Sequence, residues 1–337
     1  MKKAATGLII GGSLVFAAGA CIYAASAMSR RHPMAEDTVY IDTVSGMKID
    51  TSGVDIKITA GDENSVYYHV TEDRTPDIDV KDGVLTVKIK DKNPYNNIVF
   101  FSIDNNKDIV EITLDSDTLE NIKLCSGSGD IEFNDISFGG YVEAGSGEIE
   151  ISGCRSGKDI TLKTGSGDME LVDCKFGNLT KEQKSGGFKA ENVEAGNTSL
   201  TAGSGDITLK NCTFGDVVKS QGSGEFNAEN ITAGIMELTA GSGDTTLTDF
   251  TARKVIHESS SGELDAETSQ YCDFDITAHS GDVSLKVPGD EDSYNFDLKV
   301  SSGDINLTRD DEYSRDNSAA NTIKTHTSSG NIDINFR

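Results

Sequence analysis

The chain has 337 residues, with 35 glycines, four prolines, no tryptophan and a formal net charge of −26. Thirty Lys and Arg stand against 56 Asp and Glu, and a surface that acidic repels nucleic acid and anionic membrane. No long amphipathic helical pattern is present. Runs of Thr, Ile and Val between polar turns indicate an all-β protein, and the low apolar fraction of 36% suits a thin stack with a narrow core.

In chain order, the first element is residues 1–28. Its stretch "AATGLIIGGSLVFAAGACIYAASAM", residues 4–28, carries no charge. Twenty-five helical residues reach about 37 Å, enough to span a bilayer with tilt. A retained signal-anchor in the lipid bilayer is the expected reading. Cleavage after the Ala25-Ser26-Ala27 site and lipidation at Cys21 in "AGAC" are the alternatives. The basic flanks are nearly balanced, Lys2 and Lys3 against Arg30 and Arg31, so charge leaves open a cytoplasmic domain behind the anchor. The expected topology, with the remainder outside the cytoplasm, rests on the short positive start before the apolar stretch. Residues 29–37, "SRRHPMAED", read as a linker.

Residues 38–120 alternate in "GMKIDTSGVDIKITAGDENSVYYHV" and "DIDVKDGVLTVKIKD", with a hairpin signal at Asp82-Gly83. They read as irregular first strands that cap a larger structure. "NPYNN" at 93–97 and "RDDEYSRDNSAAN" at 309–321 read as protruding loops, and the last strand, "SSGNIDINFR", as the closure of the far end.

Residues 121–337 repeat. The marker is the second glycine of "GSGD" or "GSGE" and its equivalents, followed by an acid except at Gly186-Gly187 and Gly330-Asn331: Gly129, Gly147, Gly167, Gly186, Gly205, Gly224, Gly243, Gly262, Gly281, Gly303 and Gly330. From Gly167 to Gly281 the markers keep a constant step of nineteen, six times running. A fixed step of this size is the signature of a stack of similar units. Within a unit, pairs such as Ile207 and Leu209 stand two apart after the acid, and Met236 and Leu238 stand two apart before the next glycine pair. Period two places each pair on one face of a strand. Two short strands and two turns in a unit of nineteen make one lap of a flattened coil, and laps stack about 4.8 Å apart. The expected fold is therefore a parallel β-solenoid, with Ile136, Cys154, Cys174, Val193, Cys212, Ile231 and Phe250 forming one buried column. Leu171, Leu209, Leu247 and Leu285 alternate with Ala190, Ala228 and Ala266, so the sequence unit is a 38-residue double repeat. A single 38-residue lap is the competing reading.

The order "GMKIDTSGVDIKI", "DGVLTVKI", "VEITLDSDTLENIKLCSGSGDIEF" and then serial "GSGD" laps resembles a bacterial putative-adhesin family of β-strand-repeat proteins, over about residues 38–337. Near Asp115 the chain departs from the Leu-Pro frequent in that family. The resemblance implies a domain of unknown function behind one hydrophobic segment, facing the cell envelope without catalysis. Some members resemble parts of envelope-stress systems. Two readings follow. One is a structural and adhesive module that meets an envelope protein or polymer. The other is a regulatory module that contacts a membrane signalling partner. Nothing in the sequence sets an oligomeric state.

Chemistry is sparse. The acids after the markers, Asp130, Glu148, Asp168, Asp206, Glu225, Asp244, Glu263, Asp282 and Asp304, would stack in one column and repel by about 0.8 kcal/mol per neighbouring pair in water. A divalent cation could relieve that, but one acid per lap lacks the nine-residue spacing of calcium-binding rolls. The expectation is that each carboxylate accepts hydrogen bonds from its own turn and that no cofactor is bound. The six cysteines, at 21, 125, 154, 174, 212 and 272, match no zinc spacing. The histidines at 32, 69, 257, 279 and 326 accompany no nucleophile motif and are expected on exposed strand faces. No catalytic residue is proposed, and the protein is not expected to be an enzyme.

Overall fold

The computed structural model describes residues 34–91, 107–115, 118–307 and 319–337. The expected anchor at 1–28, most of the linker and most of both loops lie outside them. Among the described residues no helix is long and apolar enough to cross a membrane.

The described residues form two long sheets, of 15 and 14 strands. From Ile131 to Val287 the chain alternates between them, giving strands of four or five residues to one and of five to eight residues to the other. Ile207 pairs with Phe226, and Val217 with Met236, in parallel and in register. Each partner stands nineteen places further along the chain, so a single marker step completes one lap and the 38-residue lap is excluded. The 38-residue unit survives as a pattern of side chains. A narrow third side is held by single bridges running from Arg155 to Lys175, Glu194, Thr213, Thr232 and Thr251.

Period two decides what goes inside. Ile207 and Leu209 are buried, while Thr208 and Lys210 face water. The register stacks Leu171, Ala190, Leu209, Ala228, Leu247, Ala266 and Leu285 in one fully buried ladder, large on small. Between this sheet and the third side the chain turns through left-handed residues. Asp173, Asn192, Asn211 and Asn230 have φ of 53–55°, a conformation Asn and Asp tolerate better than other non-glycine residues. Their side chains also bond lap to lap: the Asn192 amide donates to Asp173 (2.8 Å) and the Asn230 amide to Asn211 (2.8 Å).

Both ends break chain order. Strands Gly46–Thr51 and Asp55–Ala60 pair directly with Thr118–Ser126 and Ile131–Asn134, placing Ile56 beside Ile131. The intervening chain builds outward from them. Arg74–Lys81 and Val84–Asp91 form an antiparallel hairpin turning at Asp82 (φ 52°) and Gly83 (φ 75°). Met34–Tyr40, Ser65–Thr71 and Ile109–Leu114 also pair antiparallel. The solenoid is therefore not parallel throughout, and Met34–Asp37, read as linker, belong to a paired strand.

At the other end Ile332–Phe336 lies between Val283–Val287 and Ile305–Leu307. The last strand does not close the stack. That place falls to Tyr294–Val300 and Ile305–Leu307, whose Phe296, Leu298 and Ile305 are only half-buried. The terminal strand alternates cleanly, Ile332 and Ile334 inward, and gains most by lying between two neighbours. The outer strands bury less and take the edge.

Candidate functional site: the acid corner and the core behind it

The glycine corner joins the two sheets. Gly186, Gly205, Gly224, Gly243, Gly262, Gly281, Gly303 and Gly330 have φ of 107–137°. Gly129, Gly147 and Gly167 are not among the positive-φ residues. A different constraint acts there: a Cβ on Gly147 would run into the carbonyl oxygen of Gly129, and one on Gly167 into that of Gly147. Stacked corners therefore need glycine for close backbone approach everywhere and for a left-handed φ in the later laps. The same contacts place Gly330 next to Gly281, and Gly303 beyond it.

The acids after these glycines are exposed or half-buried, and Asp and Glu do different things. Asp206 Oδ1 accepts the backbone N–H of Glu225 in the next lap at 2.9 Å. Asp130 accepts that of Glu148 (3.0 Å), Asp168 that of Gly187 (2.7 Å), Asp244 that of Glu263 (2.9 Å) and Asp282 that of Asn331 (2.7 Å). Asp304 donates its own N–H to Asn331 Oδ1 (3.0 Å). The partner is thus the neighbouring lap, not the acid's own turn. A Glu is one methylene too long for this geometry, and Glu225 instead lies near the side-chain amide of Asn227 (3.4 Å). Lys107 reaches both Asp55 (3.2 Å) and Asp130 (3.3 Å) at the start of the column. Burial, followed by the charges of Glu150, Asp168 and Asp130, raises the Glu148 carboxyl above its ordinary value. Among the described residues no three His, Cys, Asp or Glu side chains converge to hold a metal ion.

A second ladder of the same kind runs along the opposite edge of the larger strands. Asp159 accepts the N–H of Asn178 (2.8 Å), Asn178 that of Asn197 (2.8 Å), Asn197 that of Asp216 (3.2 Å) and Asp216 that of Ile235 (2.9 Å). Beside it lies a shallow groove of about 460 Å³ that includes Thr180, Ser199 and the exposed Val218.

The residues that sequence reasoning missed lie inside. Register places Leu162, Lys181, Leu200, Lys219, Leu238, His257 and Ile276 in one inward column. Lys181 is 0% exposed, and Lys219 and His257 are 1% exposed. The expectation of an exposed His257 is corrected: its strand position faces the core, and register overrides polarity. The Lys181 amine lies 5.1 Å from the centre of the Phe188 ring, and that of Lys219 lies 4.9 Å from the Phe226 ring. Among the described residues Lys181 Nζ and His257 Nδ1 have no hydrogen-bond partner, while His257 Nε2 sits 3.3 Å from the Thr245 hydroxyl. Burial pulls the Lys181 amine down to about 7 and Lys219 to about 8. Burial and then the Lys219 charge pull His257 down to about 4.

These laps explain the double repeat. Lys181 shares a lap with Gln183 and Ala190, and Lys219 with Gln221 and Ala228. Leu200 shares one with Ala202 and Leu209. Small alanines on one sheet coincide with long amines on the other. The Gln221 amide donates to the carbonyls of Gly205 (2.7 Å) and Glu225 (3.2 Å), fastening the corner from inside in laps that lack the Asp. Gln183 does the same with Gly167 (2.7 Å) and Gly187 (3.2 Å). The signal was present in sequence: one marker step back from Leu200 lands on Lys181.

Cys154, Cys174, Cys212 and Cys272 are buried, Cys125 is half-buried, and all five are free thiols. Cys174 lies 3.2 Å from the Val172 carbonyl and Cys212 lies 3.2 Å from that of Lys210. They behave as small apolar fillers with a weak donor.

Two long sheets joined by short, regular laps, closed by out-of-order strands at each end, define an all-β solenoid-like protein. The chain matches the family described as Toastrack DUF4097 over residues 44–187 and 173–335, and it belongs to that family. The two matched stretches meet within one continuous stack. Among solved structures it is similar to a putative adhesin from Parabacteroides distasonis (16% identity, 76% of this chain and 98% of that one, TM-score 0.45). It is also similar to a putative adhesin from Parabacteroides merdae (16%, 76% and 97%, TM-score 0.44). A third similar structure is a putative lipid binding protein from Parabacteroides distasonis (15%, 89% and 97%, TM-score 0.38). None of the curated proteins matches the chain.

Proposed function

We propose that the protein is a non-catalytic surface module of the cell envelope, held to the bilayer by residues 4–28 with its stack outside the cytoplasm. The observation that carries this reading is the regularity of the outer faces. The same turn and strand recur at every marker from Gly167 to Gly281, with an acid after each marker but Gly186, so the rod offers one shallow repeated surface. Such a surface suits multivalent contact with an extended polymer or a repetitive protein. Residues 33–337 hold 26 basic and 56 acidic residues, which favours a basic or cation-bridged partner.

Two measurements test this. Protease added to intact cells, or to protoplasts where a wall blocks access, should cleave the chain while a cytosolic control survives. Full protection until lysis would remove the surface role. The detergent-solubilised full chain should be retained on isolated envelope polymer at low salt and released at high salt. Free passage at both salts would sink the adhesive reading. A second reading, a regulatory module that reports envelope state to a membrane partner, draws on the buried amines, because ionisable groups inside a core make its closure depend on the medium.

A further inference from the structure

The Lys181, Lys219 and His257 column belongs to neither the acid corner nor the outer faces. Its placement is selective. In the same inward column Leu124, Val142 and Leu162 precede it and Ile276 and Thr325 follow it, none of them ionisable. The ionisable members are confined to three alternate laps in the middle of the stack.

Among the described residues no counter-ion reaches them. Inward positions of the strands next to Lys181 are Leu162 and Leu200, and those across from it include Phe188 and Ala190. Lys219 lies between Leu200 and Leu238 with Phe226 across. His257 lies between Leu238 and Ile276, near Thr245. Among the described residues, the ionisable groups facing the core of these laps are the three themselves and the thiols of Cys174, Cys212 and Cys272. Burial raises Cys212, and pushes Cys272 up to about 12, so these two thiols stay uncharged. The nearest carboxylates on these strands point out; Glu182 pairs with Lys163 on the outer face at 2.7 Å. A proton arriving on Lys181 Nζ therefore finds a ring face and no acceptor, and the cheapest relief is exposure to water.

We propose that the laps from Lys181 to His257 form an acid-responsive section of the stack, closed when these three side chains are uncharged and opened by proton uptake while the capped ends stay folded. In an opened lap each amine regains its ordinary affinity for protons. In the closed lap that affinity is depressed. The open state thus binds more protons, and closure is favoured as pH rises, by up to about tenfold per pH unit for each lysine. The lysines sit two laps apart, about 10 Å, so their charges add strain over one continuous stretch. This inference is independent of the adhesive reading.

Hydrogen exchange read by mass spectrometry on the detergent-solubilised full chain, corrected for intrinsic rates, tests it between pH 6 and pH 9. Amides of 179–183 and 217–223 should gain at least tenfold in protection across that range, while those of 131–134 and 283–287 change little. In Lys181→Met/Lys219→Met the gain should shrink to the few-fold that His257 alone supplies near pH 6. Uniform behaviour along the wild-type stack overturns the proposal without any variant. So does a gain of tenfold or more that persists in the double variant.

Discussion

Leu209→Ala gives the sharpest test of how the core is assembled. Leu209 is 1% exposed and stands in register between Ala190 and Ala228. Truncation would leave three alanines in succession on one sheet, with no large neighbour to settle into the gap. Buried Leu→Ala substitutions cost about 2–5 kcal/mol, and sites that cannot collapse fall in the upper part of that range. We expect about 4 kcal/mol, read as a fall in the urea midpoint followed by circular dichroism. Lys210→Ala, one residue on and exposed, should stay within about 0.5 kcal/mol. The double variant Leu209→Ala/Ala228→Leu restores the ladder volume but places the Leu in the lap of Lys219. If alanine there accommodates the amine, the second change should fail to rescue and should cost a further 1–3 kcal/mol, roughly, through overpacking. A cost below about 1 kcal/mol for Leu209→Ala, or full rescue by the double variant, would refute the lap-pair account.

Gly205→Val forces a β-branched residue to φ of 110° and drives its Cβ into the Gly186 carbonyl. It should cost several kcal/mol by strain, and an unchanged thermal melt would reject the corner assignment. Asp206→Ala should lose about 1 kcal/mol with its bond to Glu225 N–H; Asp206→Asn should recover it, and Glu225→Ala should be near neutral in the same melts. Global stability should rise with pH from about 7 and 8, the depressed values of Lys181 and Lys219, toward their ordinary 10.5, because the unfolded chain holds the extra protons there; urea midpoints flat across pH 7–10 would contradict it. Alkylation with peptide mapping should label Cys125 in the folded chain, and Cys154, Cys174, Cys212 and Cys272 only after denaturation; early labelling of Cys174 would show that the column is open.

Much of the stack was legible along the chain because its rules are local or strictly periodic. The constant marker step, the period-two pairs such as Ile207 and Leu209, the Asp82-Gly83 hairpin and the Leu/Ala ladder all follow from spacing. Register then converts spacing into contact without further information. Three features did not follow. The role of the corner acids is a bond from one lap to the next, so Asp206 and Glu225 differ only when the neighbouring backbone is in place. Polarity alone would set Lys181, Lys219 and His257 outside, although the marker step puts them in line with Leu200. Only the closed core, with Phe188 and Phe226 positioned over the amines and Ala190 and Ala228 making room, decides that packing outweighs solvation there. Last, the order of strands at the ends is a competition between non-neighbouring segments for apolar cover. Ile332 and Ile334 take the inner place, while the half-buried Phe296 and Ile305 are left at the edge. No local pattern encodes that outcome, because the free energy that decides it belongs to surfaces that meet only after the chain has folded back.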